Sequence, residues 1–136
     1  MYSEVKGIFE AYPVGQEEIM EAEKNMGITF PSDLRNFYKE VGYGFVNNEM
    51  GAVNRLIDPL GCAAIRQRED FYEYDPDLEM YESYEENSLI FFEVNEGVYI
   101  SIGLDDGEIY FTDKVIAESL LEFLGKITNP DYWNAI

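Results

Sequence analysis

Carboxylates dominate the chemistry open to this chain. Between Glu69 and Asp113 stand fifteen Asp and Glu residues with no Lys or Arg among them, interleaved with six tyrosines: Tyr72, Tyr74, Tyr81, Tyr84, Tyr99 and Tyr110. Such side chains can hold a hard cation, work as an acid–base pair, or present a negative surface to a partner. The cation option has one candidate, Asp75-x-Asp77-x-Glu79, which has the ligand spacing of the start of an EF-hand loop. It breaks at the sixth position, where the sharp turn requires glycine and the chain has Met80. No metal site and no cofactor is therefore expected. Hydrolysis of glycosides by paired carboxylates needs only Asp and Glu, but with 28 acids in the chain pairs arise by chance and no spacing singles one out. A short chain also has little room for a deep sugar cleft beside its core.

Histidine is absent, which removes the side chain most used for acid–base work near neutral pH and the commonest transition-metal ligand. No Ser-His-Asp or Cys-His arrangement can be assembled, and no Cys/His zinc site. The chain has neither Gly-x-Gly-x-x-Gly nor a Walker-type Gly-Lys-Ser/Thr, so nucleotide binding has no support. Presentation of charge remains. The sum is 9 minus 28, or −19 over 136 residues, well beyond the magnitude of about 2–8 that keeps a small domain soluble. Carboxylates at this density repel one another, and a fold that keeps them is less stable than it could be. The expected partner is a basic protein. Nucleic acid and anionic membranes would be repelled.

The elements that must position these acids follow from periodicity. A 46% apolar, 15% aromatic chain can build a core rather than remain disordered. Residues 3–11 place Val5, Ile8 and Phe9 at helical spacing before Tyr12-Pro13, which predicts a short opening helix. A second helix is expected from Gln16, with Ile19, Ala22 and Met26 on one face, Glu17, Glu18 and Glu21 at its positive end, and Gly27 as its cap. A third starts after Phe30-Pro31 with Ser32 as cap, carries Leu34, Phe37, Tyr38 and Val41, and stops at Gly42-Tyr43-Gly44. Residues 52–57 suggest a strand, and Asp58-Pro59 the start of a helix over 59–70. Residues 71–87, with Asp75-Pro76-Asp77 and no clean period, read as a partly ordered loop.

Three β-rich runs follow, Leu89–Val94, Val98–Leu104 and Glu108–Thr112, separated by turns ending in Gly97 and Gly107: an antiparallel meander. A last helix is expected from Asp113 through Val115, Ile116, Leu120, Phe123 and Leu124, with Trp133 packing back on the body. The expected fold is α+β, a single domain in which an antiparallel β-meander sheet packs against N-terminal and C-terminal helices. The lone Cys62 cannot close an internal disulfide, and no secretory signal or membrane span is visible, which suggests a cytoplasmic protein.

The run from Gly27 to Gly44, with its apolar-Pro pair Phe30-Pro31, Asp33 two residues on, a helix with Leu34, Phe37 and Tyr38, and a glycine-rich stop, resembles the opening signature of the SUKH superfamily. Tyr99-Ile100-Ser101-Ile102-Gly103, with Gly107, Tyr110, Asp113, Ala117, Ser119, Leu120, Phe123 and Leu124, looks like the closing meander and helix of that family. Phe30-Pro31 and Gly42-Tyr43-Gly44 depart from the family's usual Leu-Pro and Asn-Gly-Gly. The resemblance implies one SUKH-like domain over residues 1–136 and a non-enzymatic, cytoplasmic binding function. In bacteria that is most often an immunity protein that neutralises a cognate toxin, frequently a nuclease. A regulatory scaffold of the yeast glucan-synthesis-regulator type is the alternative.

The candidate partner-binding residues are Tyr72, Glu73, Tyr74, Asp75, Asp77, Glu79, Tyr81, Glu82, Tyr84, Glu85 and Glu86. The tyrosines would anchor the contact, and the acids would steer a basic partner towards it. The bland alternative for the same stretch is a solvated acidic loop.

Overall fold

The computed structural model of the chain describes residues 2, 5–46, 54–69, 72–95 and 97–134. Its strands run in sequence order across one antiparallel sheet: β1 (Phe9–Tyr12), β2 (Tyr43–Val46), β3 (Arg55–Leu56), β4 (Ser88–Val94), β5 (Val98–Gly103), β6 (Ile109–Phe111) and β7 (Lys114–Ala117). The helices are α1 (Gln16–Met26), α2 (Ser32–Glu40), α3 (Pro59–Gln67), α4 (Leu120–Leu124) and α5 (Pro130–Asn134), with 3-10 turns at Lys6–Ile8 and Pro76–Tyr84. This is the expected α+β class with an antiparallel meander, wider at both ends than the three strands read from the sequence.

Cross-strand partners share a sheet face, so the register sorts the side chains into two sets. Phe9, Val46, Leu56, Phe92, Ile100 and Ile102 lie on one side and are buried. Phe37 of α2 packs edge-on against Phe9 at 5.5 Å, and Phe123 of α4 against Phe92 at 5.1 Å, so helices cover this face. Trp133 stacks on Phe92 with only 12° between the ring planes and donates its indole N–H to the Ile127 carbonyl at 2.9 Å. The opposite face carries Glu10 and Tyr12 on β1, Tyr43 and Phe45 on β2, Arg55 on β3, Glu93 on β4, Tyr99 and Ser101 on β5, Tyr110 on β6 and Val115 on β7.

Four local expectations are corrected, those for the opening and closing helices because strand pairing outweighs a local preference. The predicted helix over 3–11 is a single 3-10 turn followed by β1, whose residues pair with β2 from Phe9↔Val46 to Tyr12↔Tyr43. Gly42 and Gly44 make that pairing possible. Both have positive φ, +117° and +145°, and a Cβ on either would collide with the Tyr12 or Glu10 carbonyl. The glycines thus do more than stop α2: they open β2, a strand absent from the expectation.

Ser32 does not cap α2. Pro31 occupies the cap position without a side-chain bond, while the Glu23 carboxylate accepts the Phe30 N–H at 2.8 Å and pairs with Arg35 at 2.7 Å. Residues 76–84, read as loop, form a 3-10 helix. The predicted helix from Asp113 begins as β7, where β-branched Val115 and Ile116 extend the ladder beside β6. The helix proper starts after Ser119, whose hydroxyl accepts the Glu122 N–H at 3.1 Å. Of the strand expected over 52–57, Arg55–Leu56 is formed, and residues 52 and 53 lie outside the described residues. Helix α1 with its Gly27 cap at φ +74°, and α3 opening at Asp58-Pro59, are as expected.

Candidate acidic interface

The acidic stretch lies across the second sheet face, over β3 to β5. Its apolar and aromatic residues Leu78, Tyr81 and Tyr84 recur every third position. That is the 3.0-residue period of a 3-10 helix, in which i and i+3 stand on the same side. Asp75 opens the helix by accepting the Asp77 N–H on its carboxylate at 2.9 Å, and Pro76 follows at the first position. Leu78 and Tyr81 are buried, at 0% and 2% exposure. The Tyr81 ring meets Tyr99 edge-on at 5.6 Å, and its hydroxyl oxygen accepts the Tyr99 N–H at 2.9 Å. Burial pushes the Tyr81 phenol above its ordinary pKa, opposed by that N–H bond. Burial and the charge of Glu93 push Tyr99 up as well. Both stay neutral at physiological pH.

Two arginines tie the stretch down. Arg68, at the end of α3, pairs with the Glu85 carboxylate through both of its terminal nitrogens, gives a further bond to the Ile65 carbonyl at 2.6 Å and reaches the Leu78 carbonyl at 3.5 Å. Arg55 binds Glu93 at 2.8 Å and donates to the Tyr72 hydroxyl at 3.3 Å. Burial lowers the Arg55 pKa, but the bonds to Glu93 and Tyr72 outweigh it and leave the guanidinium raised. Neither residue was singled out from the sequence, although Arg68 directly precedes the acid-only tract and Arg55 is the cross-strand partner of Glu93 within it.

The candidate residues therefore divide. Tyr81 is a core side chain, Glu85 is matched by Arg68, Tyr72 and Tyr84 are half-buried, and Asp75 is half-buried with its carboxylate on its own backbone. Glu73, Tyr74, Asp77, Glu79, Glu82 and Glu86 face solvent, Tyr74 at 87% exposure. Among the described residues none of Glu73, Asp75, Asp77, Glu79, Glu82 and Glu86 has a cation within salt-bridge distance. Tyr72, Tyr74, Asp75, Glu79 and Glu82 line a shallow concavity of about 350 Å³ with Arg68 at its edge. Beyond Tyr84 a second concavity, about 360 Å³, is bordered by Asp105, Asp106, Asp113 and Tyr110. There the Tyr110 hydroxyl donates to Asp106 at 2.6 Å, and that bond, with desolvation, pushes its pKa up to about 12. Sequence reasoning included these acids in the tract but did not place them beside the 3-10 helix.

Asp75, Asp77 and Glu79 do not converge: among the described residues no group of three or more His, Cys, Asp or Glu is arranged to hold a metal ion. Cys62 is fully buried beneath Tyr38, and burial pushes its thiol up to about 12, so at neutral pH it carries no nucleophilic thiolate. The arrangement is suited to presenting unmatched negative charge on a rigid base. Among the described residues no helix is long and apolar enough to cross a membrane.

The chain matches the SMI1/KNR4 family (SUKH-1) over residues 13–126. Immunity protein YxxD of Bacillus subtilis (strain 168) is similar to it, 46% identical over 125 residues that cover 90% of this chain and 85% of that protein. No solved structure matches. With the opening Phe30-Pro31 signature, the glycine-rich stop and the closing meander all inside the matched span, the chain belongs to the SMI1/KNR4 family (SUKH-1).

Proposed function

We propose that this chain is an immunity-type protein that neutralises a cognate toxin in the cytoplasm by protein–protein contact, with no catalytic chemistry of its own. The observation that carries the proposal is the 46% identity with a Bacillus subtilis immunity protein over 90% of the chain. The toxin fits best as a nuclease. An enzyme that binds phosphates needs a basic groove, and an inhibitor that offers carboxylates in place of phosphates can fill it.

The six acids of residues 73–86 that have no cationic partner among the described residues are the groups that would do so. Because they are not neutralised within the fold, their field extends to an approaching protein. Steering of this kind raises association rates by roughly 10- to 1000-fold at low salt and fades as ionic strength rises. Tyr74, fully presented, and Tyr72, oriented by Arg55, are the ring contacts such a partner would meet in this segment.

The test takes as probe the C-terminal domain of any large toxin-like protein encoded beside this gene, purified and titrated against the unsubstituted protein and against a variant carrying Glu73→Gln, Glu79→Gln, Glu82→Gln and Glu86→Gln. The variant should associate about tenfold more slowly at low salt, with a flatter dependence on ionic strength. Equal on-rates would remove the acidic segment from the mechanism. Failure of the unsubstituted protein to bind that domain would remove the immunity function itself.

A further inference from the structure

The face that carries the acidic helix also leaves an aromatic row uncovered at its β1 edge. Tyr12 and Tyr43 are cross-strand partners with ring centroids 5.6 Å apart, and Phe45 stands two residues along β2 on the same side. Tyr12 is 51% and Phe45 44% exposed, and Tyr43 is partly exposed. Three rings side by side in water are an unfavourable arrangement for a free surface. Tyr43 packs partly against the buried cluster, whereas Tyr12 and Phe45 leave much of their rings in solvent.

Two features say what covers the row. First, it is continuous with the acidic segment: Phe45 is the cross-strand partner of Arg55, and Arg55 reaches the Tyr72 hydroxyl. The Arg55 charge does not oppose a cationic visitor, because Glu93 holds it at 2.8 Å. Second, Glu10 is the partner of Phe45 across β1 and β2, exposed, and without a cation among the described residues. Flat π-faces with a free carboxylate beside them match the guanidinium group, which stacks on aromatic rings while its N–H groups reach a carboxylate. An ammonium group, compact and strongly hydrated, gains less from such a platform.

We propose that the Tyr12–Tyr43–Phe45 row is the anchoring centre of the partner interface and receives arginine side chains of the toxin, while the acidic segment forms its steering rim. This rests on the immunity function proposed above and adds to it which surface holds the partner once it has arrived. Rim charges act mainly on association, and desolvated anchors mainly on dissociation.

Binding of the same toxin-like domain is measured by surface kinetics for three variants: Tyr12→Thr with Phe45→Thr, the four-fold Glu→Gln variant, and Val115→Thr, which alters an equally exposed residue at the far edge of the same face. The threonines suit strands, and a thermal melt checks each fold. The expected result is a dissociation rate raised about 30-fold or more for the double threonine variant, with little change in association, and no change for Val115→Thr. Unchanged dissociation in the double variant overturns this proposal while the immunity function stands. An equal loss in Val115→Thr overturns it too, since the effect would then not belong to the row. Absence of binding by the unsubstituted protein overturns both. Should the double variant fail to fold, hydrogen exchange on the unsubstituted complex decides: new protection of Phe9–Tyr12 and Tyr43–Val46 supports the row, and none overturns it.

Discussion

Two tyrosine-bearing regions of this molecule use their rings in opposite ways. In the C-terminal block, Phe91, Phe92, Phe123, Tyr132 and Trp133 touch one another in a continuous set of edge-on, tilted and stacked contacts, and Tyr132 donates to the Ile116 carbonyl at 2.6 Å. In the 3-10 helix of the acidic segment, Pro76–Tyr84, Leu78 and Tyr81 are buried, and they secure nine residues whose other side chains turn mostly outward. Dense ring packing makes the block part of the global folding unit. The segment is instead pinned at a few points and surrounded by its own repulsion, so it belongs to the low-stability end of the molecule. Exposed side chains remain available to a partner, because groups spent on the core cannot also be presented at the surface.

The comparison breaks first at the block. Phe123→Ala should destabilise the whole protein by about 3–5 kcal/mol, read as a fall in the denaturant midpoint with one cooperative transition, because the ring touches four aromatic neighbours that cannot all collapse into the void. A loss confined to local exchange would contradict the assignment of the block to the global unit.

The segment answers to a smaller change. Tyr81→Phe keeps the ring and its contact with Tyr99 but strands the buried Tyr99 N–H without an acceptor, at a cost of about 1–3 kcal/mol. Hydrogen exchange at that amide should accelerate more than exchange in α4. Uniform acceleration would mean that the segment and the block unfold together.

The smallest effect per site is set by alkaline pH and separates the regions least. Tyr2 and Tyr132 are pushed from 10.0 up to about 12, in each case first by burial and then by carboxylates, Asp33 and Glu40 for Tyr2 and Glu122 for Tyr132. A folded pKa above the unfolded value means the native state holds more protons between the two. Stability from these groups is therefore complete below about pH 10 and declines as pH rises towards 12. Tyr132 is half-buried, so screening keeps its contribution modest, while Tyr2 is buried. Thermal melts from pH 8 to 11.5 should show the midpoint level at first and then falling. A rising midpoint would contradict the direction of these shifts.

Much of this molecule could be read from residue order. The 3.6-residue period of Ile19, Ala22 and Met26, and of Leu34, Phe37 and Tyr38, placed α1 and α2, and the Gly97 and Gly107 turns placed the meander. Two misreadings had signals that went unused. The three-residue spacing of Leu78, Tyr81 and Tyr84 marks a 3-10 helix, and the Ser119-x-x-Glu122 signature marks a helix start later than Asp113. β1 and the real role of Gly42 and Gly44 had no comparable local mark, since a four-residue strand is stabilised by pairing with residues from Tyr43 to Val46, distant in the chain, rather than by its own propensity.

Residue order by itself determined the charge of −19, its concentration in one stretch, the lack of histidine chemistry and the apolar runs between glycine turns that make the meander. These are additive properties of composition and short-range period. Tertiary structure alone decided which acids remain unmatched. Arg68 reaches Glu85 across 17 positions and Arg55 reaches Glu93 across 38, and these long-range pairs subtract particular charges from the tract, while Glu73, Asp77, Glu79, Glu82 and Glu86 face out. It also set Tyr12, Tyr43 and Phe45 in one row, because a sheet face gathers side chains from strands that are distant in the chain.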